Sequence, residues 1–363
     1  MSERVVVAMS GGVDSSVALL KVLEAGYEAF GVTMKLWESR DVGGQLLEES
    51  NCCPVEAINM ARDVCVSLGV PHYTLDFQDV FKATVIDNFV EEYLAGRTPN
   101  PCVRCNSYVK WDALFDYADQ LGADKIATGH FARIVTGPNG QPQLLRGVDQ
   151  HKDQSYVLWG IPRHTLQRTL LPLGGMTKTQ VRALANEAGL ATANVPESQD
   201  ICFVTDNNYR RFLSEHASEQ MAGVGPGSIL DEAGTEIGTH PGYVNYTVGQ
   251  RRGLGLASPE PLYVKKLDRE QNTVTVAPQA SLWGSQCQVQ ELNWLVDPPS
   301  DPVTVHARVR YNSTGAAARL NFEDDTVELH FEEPQLAITA GQSATFYEGD
   351  VLLGGGVISR VGG

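Results

Sequence analysis

Basic residues are scarce in this chain of 363. There are 28 Lys and Arg against 44 Asp and Glu, a formal charge of −16. An acidic total argues against a nucleic-acid partner, because polyanions repel one another. The total does not say where the charges sit. Long apolar runs are also missing: none approaches the roughly 20 residues that span a bilayer, which excludes a membrane helix. The opening Met1-Ser2-Glu3-Arg4-Val5 lacks a basic region followed by an apolar stretch. No secretory signal is expected, and a cytoplasmic protein is. Cysteine is sparse and odd in number: Cys52, Cys53, Cys65, Cys102, Cys105, Cys202 and Cys287. A chain this long needs no disulfide staples, so free or metal-bound thiols in a reducing compartment are expected. Internal repeats and low-complexity tracts are absent. With 42% hydrophobic and 20% charged residues, the composition is that of a folded globular chain, not a disordered one.

At roughly 100–200 residues per domain, the length predicts two or three domains. Arg4–Met9 is a short apolar run ending in a Gly-containing turn, as buried parallel strands do. Val17, Leu19, Leu20, Val22 and Leu23 then mark a helical face that Gly26 stops. Tyr27–Met34, His72–Phe77 and Lys125–Thr128 read as further strands. Val55–Leu68, Val80–Leu94 and Ser107–Leu121 read as helices between them. This alternation predicts an α/β fold, a doubly wound parallel sheet, over residues 1–205. Trp37–Asn51 interrupts it as an insertion with Gly43-Gly44 and acidic residues. Glycine-punctuated short runs such as Tyr243–Val248 predict a small, mostly β central domain over 206–276. Val303–Val309, Val327–Phe331 and Ser343–Tyr347 alternate, with β-branched residues. They predict a β-barrel-like domain over 277–363.

The sharpest motif is Ser10-Gly11-Gly12-Val13-Asp14-Ser15-Ser16, between the first strand and first helix. A Gly-Gly pair alone is more often a plain turn, with Asp14 as a helix cap. The whole string after a strand is more specific. Its glycines let backbone approach a ligand. The helix N-terminus behind them offers unpaired N–H groups and partial positive charge, and the serines offer hydroxyls, which together suit a pyrophosphate. No Gly-x4-Gly-Lys-Ser/Thr string occurs, nor a Gly-x-Gly-x-x-Gly after a strand. A Walker-type kinase and a nicotinamide dehydrogenase are therefore disfavoured.

The cysteines supply a second centre. In Thr98-Pro99-Asn100-Pro101-Cys102-Val103-Arg104-Cys105-Asn106 the prolines are expected to prevent helix and fix a loop. Two thiols then stand just before a helix, where the helix N-terminus and Arg104 should lower their pKa. Such thiolates suit a metal, a redox pair or a nucleophile. No second Cys-x-x-Cys exists, which disfavours a four-cysteine zinc site. Cys202 lies in Glu197-Ser198-Gln199-Asp200-Ile201-Cys202-Phe203, after a helix over Lys178–Ala188. Alone it reads as a small buried hydrophobe, and Cys65 reads as core.

The loop string resembles the pyrophosphatase-loop ATP enzymes, which split ATP into AMP and pyrophosphate while adenylating a carbonyl oxygen. Taken with Thr98–Asn106, Thr128-Gly129-His130-Phe131-Ala132-Arg133, Lys152-Asp153-Gln154-Ser155-Tyr156, Glu197–Phe203, Gly249–Gly255 and Ala307-Arg308-Val309-Arg310-Tyr311, nearly the whole chain resembles the bacterial tRNA-specific 2-thiouridylases. The resemblance implies an ATP-dependent enzyme, with Mg²⁺, that adenylates O2 of the wobble uridine in a tRNA anticodon and replaces it with sulfur. It implies nucleotide binding by Ala8, Met9, Ser10, Gly11, Gly12, Val13, Asp14, Ser15 and Ser16, with Met34 and Gly129 lining the adenosine pocket. Taken alone, Met34 is a core residue. Asp14, Cys102, Cys105 and Cys202 are the implied catalytic residues. Cys202 carries a persulfide, Cys105 attacks it or releases its sulfide, and the two can close a disulfide in turnover.

Many members carry Asp where Cys102 stands, as a proposed general base. With a thiol there, Cys102, Cys105 and Cys202 would also suit a [4Fe–4S] cluster with one open iron. The resemblance further implies that Asn100, Pro101 and Cys102 face the target base. His130, Lys152, Asp153, Gln154, Arg310, Tyr311 and Gln342 would contact RNA. Lys152 and Arg310 suit phosphates, and Tyr311 suits stacking on a flipped base. A sulfur-donor protein is an expected partner; DNA and membrane are not. Two other readings share the motifs: an adenylating, amide-forming enzyme that uses ammonia, and a non-enzymatic sulfur or iron–sulfur carrier. Divided along the chain, the charge changes meaning. Residues 1–96 carry −9, 97–182 carry +5, 183–206 carry −4 and 207–363 carry −8. The one positive stretch begins at the cysteine loop, which predicts a focused, salt-dependent grip on RNA.

Overall fold

The computed structural model describes residues 2–38, 54–196 and 201–362. The expected insertion from residue 39 onward, Cys52, Cys53 and Glu197–Asp200 lie outside the described residues. The chain forms two compact units. One comprises Met1–Val85, Cys102–Asn208 and Asp350–Leu353; the other comprises Ile86–Pro101, Tyr209–Gly349 and Gly354–Gly363.

The first unit is built on a parallel sheet of β1 (Arg4–Ala8), β2 (Glu28–Lys35), β3 (His72–Asp76), β4 (Lys125–Ala127) and β7 (Thr169–Leu170), in the order β3-β2-β1-β4-β7. Val5, Val6 and Val7 on the central strand are all fully buried, because helices cover both faces of such a sheet. Helix α1 (Val13–Glu24) packs on it through Val13, Val17, Ala18, Leu19 and Val22. Leu20 and Leu23 are only half-buried. The helix ends at Gly26, whose φ of +84° continues the chain in the left-handed region. Helix α2 (Pro54–Ser67) buries Ala61, Val64 and Cys65. Cys65 is the core residue expected: a Cβ on Gly31 of β2 would lie 2.4 Å from its Sγ. A hairpin of β5 (Ala132–Thr136) and β6 (Pro142–Arg146) follows β4.

Two helices depart from regular winding. Helix α3, residues 78–94, passes through a π-wound segment at Lys82–Ile86. Helix α4, residues 101–120, is α at Pro101–Arg104, π at Cys105–Ala113 and α again at Leu114–Gln120. The expectation that the prolines prevent helix before Ser107 is therefore corrected. Pro101 sits in the first turn, where no amide N–H is needed and its fixed φ suits a helix start. Helix α5 (Lys178–Glu187) begins with a reciprocal cap between Thr177 and Gln180.

The second unit holds α6 (Tyr209–His216), which the glycine-rich sequence did not announce. Phe212 of α6 packs edge-on to Phe89 of α3. A mixed sheet follows, of β8 (Gly227–Leu230), β9 (Glu236–His240), β10 (Leu262–Asp268) and β11 (Thr273–Pro278), in the order β10-β11-β8-β9. Its core gathers Ile229, Val264, Val274 and Val276 around Tyr243, Val244 and Tyr246. The Tyr243–Val248 run supplies a 3₁₀ turn at Tyr243–Asn245 rather than a strand. Finally β12 (Trp283–Trp294), β13 (Val303–Arg308), β14 (Ala316–Glu323), β15 (Thr326–Leu336), β16 (Ser343–Glu348) and β17 (Val351–Val361) form a six-stranded antiparallel barrel. Its order is β12-β15-β14-β13-β16-β17, closed by pairing of β17 with β12. Val327, Leu329 and Phe331 point inward at alternate positions of β15. Among the described residues no helix is long and apolar enough to cross a membrane.

Removing a buried side chain leaves a cavity as well as lost burial. Leu329→Ala is expected to destabilise the barrel by about 2–5 kcal/mol, and Glu332→Ala on its exposed edge by under about 0.5 kcal/mol. Thermal unfolding of the two variants side by side checks this.

Candidate active site

The turn from β1 into α1 is set by crowding. Gly11 has φ +76°, and a Cβ there would lie 2.4 Å from the Ala57 carbonyl oxygen. Gly129, two residues past β4, comes so close that a Cβ would lie 2.7 Å from the Asp14 carbonyl carbon and 2.9 Å from Ser15 N. Gly12 caps α1 in an extended conformation without a side-chain hydrogen bond. The Ser15 and Ser16 hydroxyls, expected to face an anion, donate to the Gly12 carbonyl at 3.0 and 2.9 Å. Thr192 Oγ1 donates to Ser16 Oγ at 2.9 Å. These hydroxyl bonds shape the loop. Met9 is buried, Ala8 is half-buried and Ser10 is exposed at the turn. Met34 is half-buried near the end of β2, level with Leu75 of β3.

Lys178, which sequence reasoning named only as the start of a helix, completes this loop. Its Nζ donates to both carboxylate oxygens of Asp14, at 2.7 and 2.8 Å. The lysine side chain is 10% exposed, and its ammonium lies 5.6 Å from the centre of the Phe131 ring. Its backbone N–H donates to Asp149 Oδ2 at 2.9 Å. A carboxylate in the first turn of α1 is thus neutralised by a buried cation. The only sequence signal was a Thr-Lys-Thr-Gln cap box; the partner lies 164 residues away.

Cys102 and Cys105 stand one turn apart at the head of α4. Cys102 keeps an exposed face and Cys105 is half-buried, and both are free thiols. Protein crowds each sulfur. The resulting loss of water raises both thiols above their ordinary pKa, and Cys105 raises Cys102 further. This corrects the expected lowering. The opposing cation is Lys110, not Arg104; Arg104 lies over the Tyr108 ring at 5.5 Å. Cys202 is exposed and lies in the same unit. No disulfide joins it to Cys105. Cys287 is buried in the barrel, with its thiol pushed up to about 12.

The residues expected to contact RNA divide sharply. His130 is buried, bonded through Nδ1 to Thr128 Oγ1 at 2.8 Å, and held neutral by burial. Asp153 is buried and accepts from Gly147 N, Ser155 N and Ser155 Oγ. Gln154 Oε1 accepts from Phe131 N at 3.0 Å. Lys152, beside them, is half-buried. In the second unit Asn100 is half-buried and Pro101 buried. Tyr311 is 40% exposed, on a loop whose Ser313 and Tyr311 carbonyls accept from the buried Arg308 guanidinium. Arg310 donates to the carbonyls of Val248 and Ala337 and to Thr339 Oγ1. Gln342 donates to the carbonyls of Thr98 and Pro99.

Comparison with known proteins fits this layout. Residues 3–206 match the tRNA methyl transferase HUP domain, 210–278 the tRNA methyl transferase PRC-barrel domain and 284–358 the aminomethyltransferase beta-barrel domain. The tRNA-specific 2-thiouridylase MnmA of Pelotomaculum thermopropionicum is 47% identical over 99% of this chain and 98% of its own. That of Lachnoclostridium phytofermentans is 45% identical over 99% of this chain and 100% of its own. The chain belongs to the tRNA-specific 2-thiouridylase family. Among solved structures, the U34-tRNA thiolase NcsA from Methanococcus maripaludis with its [4Fe-4S] cluster is 18% identical over 61% of this chain and 71% of its own, at a TM-score of 0.35. A likeness that slight carries no argument about chemistry.

For this 2-thiouridylase family member, two consequences follow. Lys178→Met leaves the Asp14 carboxylate unneutralised in the first turn of α1, where the family resemblance expects the triphosphate. ATP affinity measured by equilibrium titration is expected to fall at least about tenfold, equivalent to roughly 1.4 kcal/mol. Lys110→Gln removes the cation that lowers both thiols, so alkylation of Cys102 and Cys105, followed peptide by peptide in mass spectrometry, is expected to shift to higher pH.

Proposed function

We infer that the chain is an ATP-dependent tRNA-uridine 2-sulfurtransferase that converts wobble uridine to 2-thiouridine, with sulfur carried as a cysteine persulfide. The observation that carries this reading is that Cys102, Cys105 and Cys202 all lie in the unit that holds the nucleotide loop, with Cys102 and Cys202 exposed and Cys105 half-buried. An exposed Cys202 can be loaded by a donor protein. The α1 N-terminus, with Gly11 and Gly12, binds the phosphates of ATP through backbone N–H groups, while both Asp14 oxygens are taken by Lys178 and so do not fit the Mg²⁺ that accompanies the nucleotide.

Uridine O2 attacks the α-phosphorus and pyrophosphate leaves, giving O2-adenylated uridine. The terminal sulfur of the Cys202 persulfide attacks C2 and AMP leaves with the oxygen. The Cys105 thiolate then attacks Cys202 Sγ, which frees 2-thiouridine and forms a Cys105–Cys202 disulfide. A thiol reductant reopens it, and a persulfide donor reloads Cys202. Cys102, one turn from Cys105, can take the uridine N3 proton only as its thiolate, a form that crowding disfavours at neutral pH.

An iron–sulfur cluster would need three thiolates drawn to one point. Among the described residues no three His, Cys, Asp or Glu side chains gather to hold a metal. As placed, these residues do not fit the cluster, and no step is routed through it.

Incubation with ATP, a persulfide donor and unmodified tRNA is expected to yield 2-thiouridine, read by mass spectrometry of nucleosides. Cys105→Ser and Cys202→Ser are expected to abolish it while preserving ATP binding. Full activity of both serine variants overturns the persulfide route. Because Cys105 ionises above its ordinary pKa, its thiolate fraction grows with pH. Single-turnover thiolation should therefore climb through neutral pH into the alkaline range.

A further inference from the structure

Gln342 lies in the barrel loop between β15 and β16. The loop is fixed to its own barrel: Gly341 N donates to the Ile358 carbonyl at 2.8 Å, and Ile358 N donates to the Gln342 carbonyl at 2.8 Å. Its near end is also pinned. Ala337 adopts φ +50°, a strained conformation for a residue with a side chain. Arg310 Nη2 holds the Ala337 carbonyl at 2.6 Å.

The segment leading to the cysteine helix rests on this loop. Thr98 N donates to the Ala340 carbonyl at 2.9 Å. Gln342 Nε2 donates to the carbonyls of Thr98 and Pro99 at 3.0 and 3.1 Å. Gly341 packs so tightly that a Cβ would lie 2.9 Å from both Thr98 N and Thr98 O. All these residues belong to one compact unit, together with Asn100 and Pro101. The side-chain amide of Gln342 therefore has its donor committed to backbone carbonyls one and two residues before Asn100.

We propose that Gln342 is a positioning residue: the barrel loop 337–342, braced by Arg310, clamps Thr98–Pro99 and so sets Asn100 and Pro101 for the target base. Gln342 acts on turnover rather than on RNA affinity. The proposal rests on the 2-thiolation reading for its catalytic consequence, though not for the clamp itself. A misplacement of about 1 Å at a reacting centre can cost roughly 100-fold in rate, and the loss of two hydrogen bonds on a proline-flanked segment permits a shift of that order.

The test uses the full-length protein with Gln342→Leu, which keeps bulk and removes the donor, and Gln342→Glu, which sets a carboxylate against the two carbonyls. Both variants should bind tRNA within about twofold of the parent. Both should lose roughly 10- to 100-fold in kcat at saturating tRNA, with Glu worse than Leu. Amide hydrogen exchange at Thr98 should accelerate, while the barrel strands keep their protection. A tenfold rise in tRNA Kd with kcat unchanged would overturn the proposal in favour of a direct RNA contact. Unchanged exchange at Thr98 would overturn the clamp. If the parent makes no 2-thiouridine, the functional reading fails, and the exchange measurement still decides the clamp.

Discussion

The turn at Gly11-Gly12 is the constraint on which the first unit depends. Three backbones meet there: the loop itself, α2 through the Ala57 carbonyl, and the Gly129 segment after β4. Each approach is closer than a side chain permits. The arrangement leaves α1 without a side-chain cap, so its first N–H groups point where a phosphate can take them. Ser15 and Ser16 turn their hydroxyls back to Gly12, which stiffens the loop around that opening. Asp14 would spoil such a site with its own charge. The buried ammonium of Lys178 on its two oxygens removes that repulsion.

The thiol centre obeys a different balance. A helix N-terminus and nearby cations lower a thiol pKa, and crowding raises it. At Cys102 and Cys105 crowding wins, with Lys110 as the partial counterweight. Raised thiols are protected from adventitious oxidation and metal capture, because the thiolate is the reactive form. A persulfide ionises more readily than its parent thiol. On the proposed persulfide route, sulfur loaded on the exposed Cys202 is nucleophilic while the resting thiols stay quiet.

What the sequence disclosed, and what it hid, follows from the range of the interactions. Val5-Val6-Val7 announces a central parallel strand because burial on both faces is written into consecutive residues. Val327, Leu329 and Phe331 announce a barrel strand by period. The Ser10–Ser16 string announces its turn because glycine is required locally. The helix starting at Pro101 was hidden because two prolines read as breakers, although one of them occupies the single helical turn that tolerates it. The Asp14–Lys178 pair and the Gln342 bonds to Thr98 and Pro99 were hidden because they join positions 164 and more than 240 residues apart. Lowered thiols were expected from charge alone, since a sequence shows a neighbouring Arg104 but not the atoms that exclude water.

The same limit applies to charge. Residues 97–182 carry a formal +5, yet at least five of their eleven cations are already in ion pairs: Arg97, Lys125, Arg133, Arg168 and Lys178. Pairs with Asp and Glu cancel much of the field that a count implies. Arg310 is likewise occupied with carbonyls and a hydroxyl. The formal count of this stretch therefore overstates its positive field. On the proposed function, recognition of RNA would draw on shape, stacking and a few local contacts. Anticodon loops, with their unstacked bases, suit such reading, and Tyr311, exposed on a loop held by the buried Arg308, is the residue that the family resemblance offers for stacking.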